Sequence, residues 1–126
     1  MDLGYRFAGI RPKLFPFGGL MYAVVNHMKL SKPLDENIIR RMNTELMSDL
    51  VKLPGVAHAL CVQVADDGIV ISVICDSEES LESAHQEVGS PWVGQNLSPY
   101  LASTDRKTGP VIARSENLDA TMMTPR

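Results

Sequence analysis

The stretch VAHALCVQVADDGIVISVIC, residues Val56 to Cys75, decides the fold of this chain. Two runs rich in β-branched residues, Val56 to Ala65 and Ile69 to Cys75, flank the tripeptide Asp66-Asp67-Gly68. This tripeptide is a turn sequence in which glycine is available for a positive φ. The stretch is therefore predicted to form a β-hairpin of two antiparallel strands.

Both faces of this hairpin are apolar. In its first strand one side carries Val56, Leu60, Val62 and Val64, and the other carries Ala57, Ala59 and Cys61. In its second strand Ile69, Ile71, Val73 and Cys75 oppose Val70 and Ile74. An antiparallel sheet with one face in water alternates apolar and polar residues, so both faces are expected to be covered. If helices cover one face, a second subunit must cover the other, which predicts a homodimer.

A strand and a helix are predicted upstream of the hairpin. The run MYAVVNHMKL, Met21 to Leu30, is short and β-branched in its middle. Apolar residues then recur at helical spacing at Leu34, Ile38, Met42, Leu46, Leu50 and Leu53. Pro54-Gly55 is expected to end this amphipathic helix with a left-handed cap.

A second helical region and a last strand are predicted downstream. Ser77 is a plausible N-cap for a helix over Glu78 to Val88, which Gly89 is expected to end. Ser90-Pro91 then begins a further helix, bent by Pro99. A polar loop, Ser103 to Gly109, leads to a last strand at Val111-Ile112-Ala113. The order β-α-β-β-α-β predicts an α+β protein with a ferredoxin-like antiparallel sheet and both helices on one face.

The length of 126 residues fits one domain, which we place at residues 20–116. Residues 1–19 contain Phe7, Phe15 and Phe17 but show no periodicity. They are interpreted either as a flexible leader or as an arm that docks on this subunit or a neighbour. Residues 117–126 are expected to form a loose tail.

Composition and motifs exclude several classes of function. A net charge of -3 argues against nucleic-acid or anionic-membrane partners. No apolar run is long enough for a membrane helix and no signal peptide is recognisable, so a cytoplasmic location is expected. Three scattered histidines predict no metal site, and Cys61 and Cys75 are expected to be reduced thiols.

Four short motifs resemble those of one known group of proteins. VVN at Val24 to Asn26 precedes a helix ending in LPGV, Leu53 to Val56; after the hairpin come SEESLESAH, Ser77 to His85, and SPWVGQNLSPYL, Ser90 to Leu101. The chain thereby resembles the dimeric α+β barrel superfamily, in particular its antibiotic-biosynthesis-monooxygenase-like branch, over about residues 20–116. The resemblance implies a two-fold dimer whose sheets meet face to face as a barrel, with a pocket in each subunit between helices and sheet.

The resemblance also bears on cofactors. Some members of the superfamily degrade haem, using a first-strand asparagine, a tryptophan at the end of the third strand and a late histidine. Asn26 matches the first, but Cys75 stands in the tryptophan's place and residues 92–101 contain no histidine. Haem degradation is therefore not expected, and no cofactor is predicted.

Two polar residues are the candidate catalytic groups. Asn26 is predicted mid-strand, where asparagine is disfavoured, so its amide could hydrogen-bond a substrate carbonyl or enolate. It could instead pair with backbone or face the dimer interface. His85 lies on the apolar side of its predicted helix, where it could relay protons or be a structural histidine.

Three aromatic residues are candidates for substrate binding. Tyr22, Trp92 and Tyr100 could wall an aromatic-substrate pocket, although such residues more commonly pack in a core or interface. The resulting hypothesis is a cofactor-independent monooxygenase acting on a small aromatic, polyketide or quinol substrate. The alternative is a non-catalytic ligand-binding or assembly module.

Overall fold

A computed structural model describes residues 20–115 of the chain. Its four strands are β1, Tyr22–Leu30; β2, Val56–Ala65; β3, Gly68–Cys75; and β4, Leu101–Pro110. All neighbours pair antiparallel in the order β2-β3-β1-β4. One helical region follows β1 and another follows β3, which confirms the predicted α+β class and ferredoxin-like order. The predicted arm, 1–19, and tail, 117–126, lie outside the described residues.

The first helical region, α1, spans residues 36–52. It runs from Glu36–Arg41 through a π-helical stretch, Met42–Met47, to Ser48–Lys52. The Asp35 carboxylate caps its start by accepting the backbone N–H of Ile38 at 2.8 Å. Four residues of the predicted apolar stripe are buried, namely Ile38, Met42, Leu46 and Leu50. Gly55 has a φ of 87°, so the predicted left-handed glycine after this helix is confirmed.

The second helical region, α2, spans residues 78–100. Its segments are Glu78–Ala84, the π-helical His85–Gly89, Ser90–Trp92, the π-helical Val93–Leu97 and the 3₁₀ turn Ser98–Tyr100. Ser77 caps its start by accepting the N–H of Ser80 at 3.0 Å, as predicted.

The prediction that Gly89 ends this helix is wrong. Gly89 has helical angles, φ -60° and ψ -58°, and the chain continues through Pro91. Proline lacks an N–H and its ring crowds the preceding turn, which would interrupt a regular α-helix. The wider π-helical turn directly before Pro91 accommodates this defect, so the helix continues.

The last strand is also not where it was predicted. Residues 103–109, expected to form a loop, belong to β4, whereas Val111 to Ala113 follow the strand. Apolar periodicity does not reveal this strand, because it lies at the sheet edge and pairs only with β1. Edge strands commonly carry polar and charged residues, which discourage pairing with other chains.

The hydrophobic core lies between the helices and one face of the sheet. The sheet contributes Val24, Met28, Leu30, Ile69, Ile71, Val73 and Cys75, and α2 adds Leu81, Ala84, Trp92 and Leu97. Gly68 begins β3 without the positive φ expected from the turn sequence; among the described glycines only Gly55 has one.

No other part of residues 20–115 covers the second face of the sheet. It carries Val25, Leu60, Val62, Val64, Val70 and Ile74, and we call these six residues the open face. Val56 was expected to share a side with Leu60. A register irregularity between Val56 and His58 instead places it against the core with Ala59 and Cys61.

Membrane insertion by a helix has no support in the described part of the chain. No helix within residues 20–115 is long and apolar enough to cross a bilayer.

Candidate functional site

A cavity of about 280 Å³ lies between the two helical regions and the sheet. Its wall is mainly apolar and includes Val24, Leu46, Leu50, Ile71, Val73 and Leu81. Ser90, Gly94 and Thr104 also line the cavity and are exposed, so it opens to solvent between α2 and β4. The volume lies near the lower end of the range for small-molecule pockets.

Three larger polar side chains line this cavity, an amide, an imidazole and a guanidinium group: those of Asn26, His85 and Arg106. Asn26 and Arg106 are register partners on β1 and β4. Since side chains alternate along a strand, both lie on the helix-facing side together with Val24 and Met28. The strand pairing therefore brings an amide and a guanidinium group to one part of an apolar cavity.

Both groups hold a buried atom without a hydrogen bond. Asn26 Oδ1 and Arg106 Nη2 have no hydrogen-bond partner among the described residues. The carboxylate that faces Arg106 is Glu82, whose Oε2 is 3.7 Å from Nη2. This separation permits an ion pair but exceeds the length of a hydrogen bond.

His85 begins the π-helical stretch of α2 and is partly buried. Burial is the main cause that lowers the pKa of His85, and the positive charge of Arg106 lowers it further. The negative charge of Glu82 partly opposes both effects. The imidazole therefore favours its neutral form, which can accept a proton.

The three aromatic residues predicted to bind substrate do not line this cavity. Trp92 is buried and its Nε1 donates to Glu45 Oε1 at 3.0 Å. The Tyr100 hydroxyl donates to Asp35 Oδ2 at 2.9 Å, and Tyr22 packs against the core at the start of β1. Trp92 and Tyr100 thus connect α2 to α1 and to its cap, and their predicted contact with substrate has no counterpart in this cavity.

Arg106 was missed by the sequence reading. It lies in the run TDRKTG, which was assigned to a loop, and a loop has no register that could place it opposite Asn26. The available signal was weak: Thr104 and Thr108, two residues to either side, are β-branched and favour a strand.

Neither a metal site nor a reactive thiol is found in the described ranges. Residues 20–115 contain no group of three or more His, Cys, Asp or Glu side chains placed to hold a metal ion. Burial raises the pKa of the Cys61 thiol to about 11, and burial also raises that of Cys75. Thiols with raised pKa values are poor nucleophiles near neutral pH.

Comparison with known proteins yields matches only among solved structures. No family model matches the chain, and no curated protein matches it. The structural matches include a variant of SnoaB, a cofactor-independent oxygenase from Streptomyces nogalater, with a TM-score of 0.61 and 9% identity over 75% of this chain and 95% of that one. A candidate antibiotic biosynthesis monooxygenase from Chloroflexus aurantiacus has a TM-score of 0.58 and 18% identity, covering 75% of this chain and 95% of that one.

A third match carries the name of the fold. It is a dabb family protein with a ferredoxin-like fold from Mesorhizobium loti, with a TM-score of 0.57 and 11% identity over 75% of this chain and 99% of that one. Together the matches confirm the predicted resemblance at the level of fold.

Proposed function

From the fold that this chain shares with the antibiotic-biosynthesis-monooxygenase-like proteins, we infer that it is a small cofactor-independent oxygenase. Its substrate is a small aromatic, polyketide or quinol compound that fits a cavity of about 280 Å³. The observation that carries the proposal is that Asn26 and His85 line the same, mainly apolar cavity. Apolar walls exclude water from a reactive intermediate, and the polar residues hold and deprotonate the substrate.

The chemistry requires only the substrate and dioxygen. In a substrate of the anthrone type, His85 takes a proton from the acidic CH₂ group, and the Asn26 side-chain N–H donates a hydrogen bond to the substrate oxygen that is conjugated with that carbon. The carbanion adds dioxygen, which forms a C–O bond and gives a hydroperoxide after protonation by His85. Loss of water then leaves a carbonyl, so one oxygen atom enters the product and the other leaves as water. The four electrons that reduce dioxygen come from the CH₂ group.

Oxygen uptake tests this function. The purified protein is expected to consume dioxygen with members of an anthrone and quinol panel. Asn26→Ala and His85→Ala are each expected to slow uptake by about 100-fold or more, which is the usual contribution of a positioned proton-transfer group. Gln86→Ala is the matched control, because Gln86 is exposed and does not line the cavity. Unchanged uptake in both cavity variants would remove these assignments.

The second candidate function is a non-catalytic ligand-binding module. One observation favours it: Tyr22, Trp92 and Tyr100, the residues proposed to hold an aromatic substrate, are absent from the cavity lining. Native mass spectrometry that shows a retained small molecule, together with no oxygen uptake across the panel, would favour this module over the enzyme.

We further propose that two chains pair through the open face. The support is the exposure of four of its six apolar side chains, those of Val25, Leu60, Val62 and Val64, which ranges from 38% for Leu60 to 59% for Val64. Exposed apolar patches of this kind mark association surfaces. Two sheets joined in this way would form the α+β barrel, with each cavity on the far side of its own sheet. The cytoplasmic location remains a prediction from the sequence.

A further inference from the structure

Gly94 lies where the cavity opens to solvent. It lines the cavity and is exposed, and the same is true of Ser90, four residues earlier on α2. Residues four apart share a face of a helix, so this face of α2 forms one side of the opening. Thr104 on β4 is also exposed and lines the cavity from the other side. We call the opening between Gly94 and Thr104 the entrance.

The fold does not require a glycine at position 94. Gly94 belongs to the π-helical stretch Val93–Leu97 and does not have a positive φ. Apart from its own helix backbone and its chain neighbours, no heavy atom of residues 20–115 lies within 4 Å of the place that a Cβ would take. Inside a helix, glycine is less stable than alanine by about 1 kcal/mol. This glycine therefore costs stability, and neither backbone conformation nor packing explains it.

The part of α2 that carries Gly94 is bonded to α1 on both sides of the glycine. Trp92 Nε1 donates to Glu45 Oε1 at 3.0 Å, and Arg41 Nη2 donates to Asn96 Oδ1 at 2.6 Å. Asn96 Nδ2 in turn donates to the backbone carbonyl of Trp92 at 3.0 Å. These bonds hold the turn around Gly94 against α1, so the α2 side of the entrance has a fixed position.

We propose that Gly94 sets the width of the entrance through which molecules reach His85, and thereby limits the size of the substrate. This rests on the proposed function, because the cavity is the one assigned to it. Without a side chain at position 94, the space between α2 and Thr104 stays open. A large apolar side chain there would cover the entrance, since it buries apolar surface by lying against the cavity wall instead of extending into water.

Modification of His85 by diethyl pyrocarbonate tests the entrance without any substrate. The reagent reacts with neutral imidazole, and peptide mass spectrometry measures the rate at each histidine separately. Gly94→Phe is expected to slow the modification of His85 severalfold, because the phenyl ring covers the route to it. His27 and His58 are exposed and do not line the cavity, so their rates should not change and serve as internal references.

Gln95→Phe is the matched control. Gln95 is the next residue of α2 and is exposed, but it does not line the cavity. In this variant His85 should react as it does in the wild type. If Gly94→Phe does not fold, Gly94→Leu provides the same test with a smaller side chain. Modification of His85 at the wild-type rate in the folded Gly94 variant overturns the proposal.

Oxygen uptake with substrates of two sizes tests the limit on substrate size. Anthrone has three fused rings, whereas methylhydroquinone has one. Gly94→Phe is expected to lower kcat/KM for anthrone at least about tenfold more than for methylhydroquinone, a ratio within the range that pocket shape alone achieves. Gln95→Phe should leave the ratio of the two kcat/KM values unchanged. An equal loss for both substrates in Gly94→Phe overturns the role of Gly94 in selecting substrates by size.

Failure of this proposal is distinguishable from failure of the proposed function. Oxygen uptake that depends on Asn26 and His85, with unchanged modification of His85 in Gly94→Phe, would leave the oxygenase and remove the role of Gly94. Slower modification of His85 in Gly94→Phe, with no oxygen uptake by the wild type, would leave the entrance and favour the non-catalytic module.

Discussion

His85 is partly buried, and the charges of Arg106 and Glu82 shift its pKa in opposite directions. Burial and Arg106 lower its pKa, whereas Glu82 acts in the other direction. The folded protein therefore holds this histidine neutral at pH values where an unfolded histidine, with a pKa of about 6.5, begins to take up a proton. A base in this state can act near neutral pH without first losing a proton.

This shift predicts a pH dependence of stability. Between the lowered pKa of folded His85 and about 6.5, the unfolded chain binds more protons, so the free energy of unfolding rises with pH and falls on acidification. Replacing His85 with Asn should remove this contribution. Urea unfolding of both proteins, from about pH 7.5 to about pH 5, is expected to show a smaller loss of stability in His85→Asn. Parallel curves for the two proteins would contradict the environment assigned to His85.

Gly55 lies in the turn between α1 and β2, and this turn requires a left-handed backbone conformation. Its φ of 87° is strained for any residue with a side chain. A Cβ at this position would also lie 2.7 Å from Asp76 Oδ1 and 2.8 Å from Ser80 Cβ. The turn at Gly55 therefore packs directly against the start of α2.

Substituting this glycine should be costly. Gly55→Ala is expected to lower the free energy of unfolding by about 1–3 kcal/mol, through backbone strain and the close contacts. Gly94→Ala is the control, because Gly94 is helical and a Cβ there has no other heavy atom within 4 Å. That change should raise stability by up to about 1 kcal/mol. Chemical denaturation measures both changes. If Gly55→Ala and Gly94→Ala change the free energy of unfolding equally, the close packing described for Gly55 is contradicted.

The elements that the sequence predicted correctly are those with strong local signals. Ile38, Met42, Leu46 and Leu50 recur on one side of α1, and all four are buried. The β4 strand has no such pattern, since its sequence LASTDRKTGP is polar on both sides. Only backbone pairing with β1 places it, and pairing is a tertiary property that a periodicity search does not detect.

The residues of the candidate site were likewise predictable only where the local sequence carried a signal. Asn26 was found because a polar residue interrupts an apolar strand, and His85 because it shares a helix side with Leu81 and Ala84. Arg106 could not be found in this way, because its position in the cavity depends on the register of β4 against β1. The aromatic residues were chosen by type, and their hydrogen bonds to Glu45 and Asp35 place Trp92 and Tyr100 outside the cavity wall.

On the scale of the whole molecule, the helices cover one face of the sheet and leave the other apolar. Val62 lies on the open face and is 46% exposed. If two chains pair there, Val62→Glu should place a charge in the interface and weaken the dimer by at least about tenfold. Native mass spectrometry at micromolar concentration measures this change.

Val51→Glu is the matched control for the dimer. Val51 is 51% exposed but lies on α1, away from the open face. It should leave the dimer intact. A wild-type protein that is monomeric at micromolar concentration would contradict the pairing of two sheets.

The oxygenase proposal requires a substrate that binds in the cavity between helices and sheet, where Asn26 and His85 can reach it. A crystal structure of the protein with anthrone, prepared without dioxygen, shows whether this is so. The anthrone oxygen is expected within about 2.7–3.2 Å of the Asn26 side-chain nitrogen, with the rings among the apolar side chains of the cavity. Anthrone bound outside this cavity, or not bound at all, would contradict the proposal.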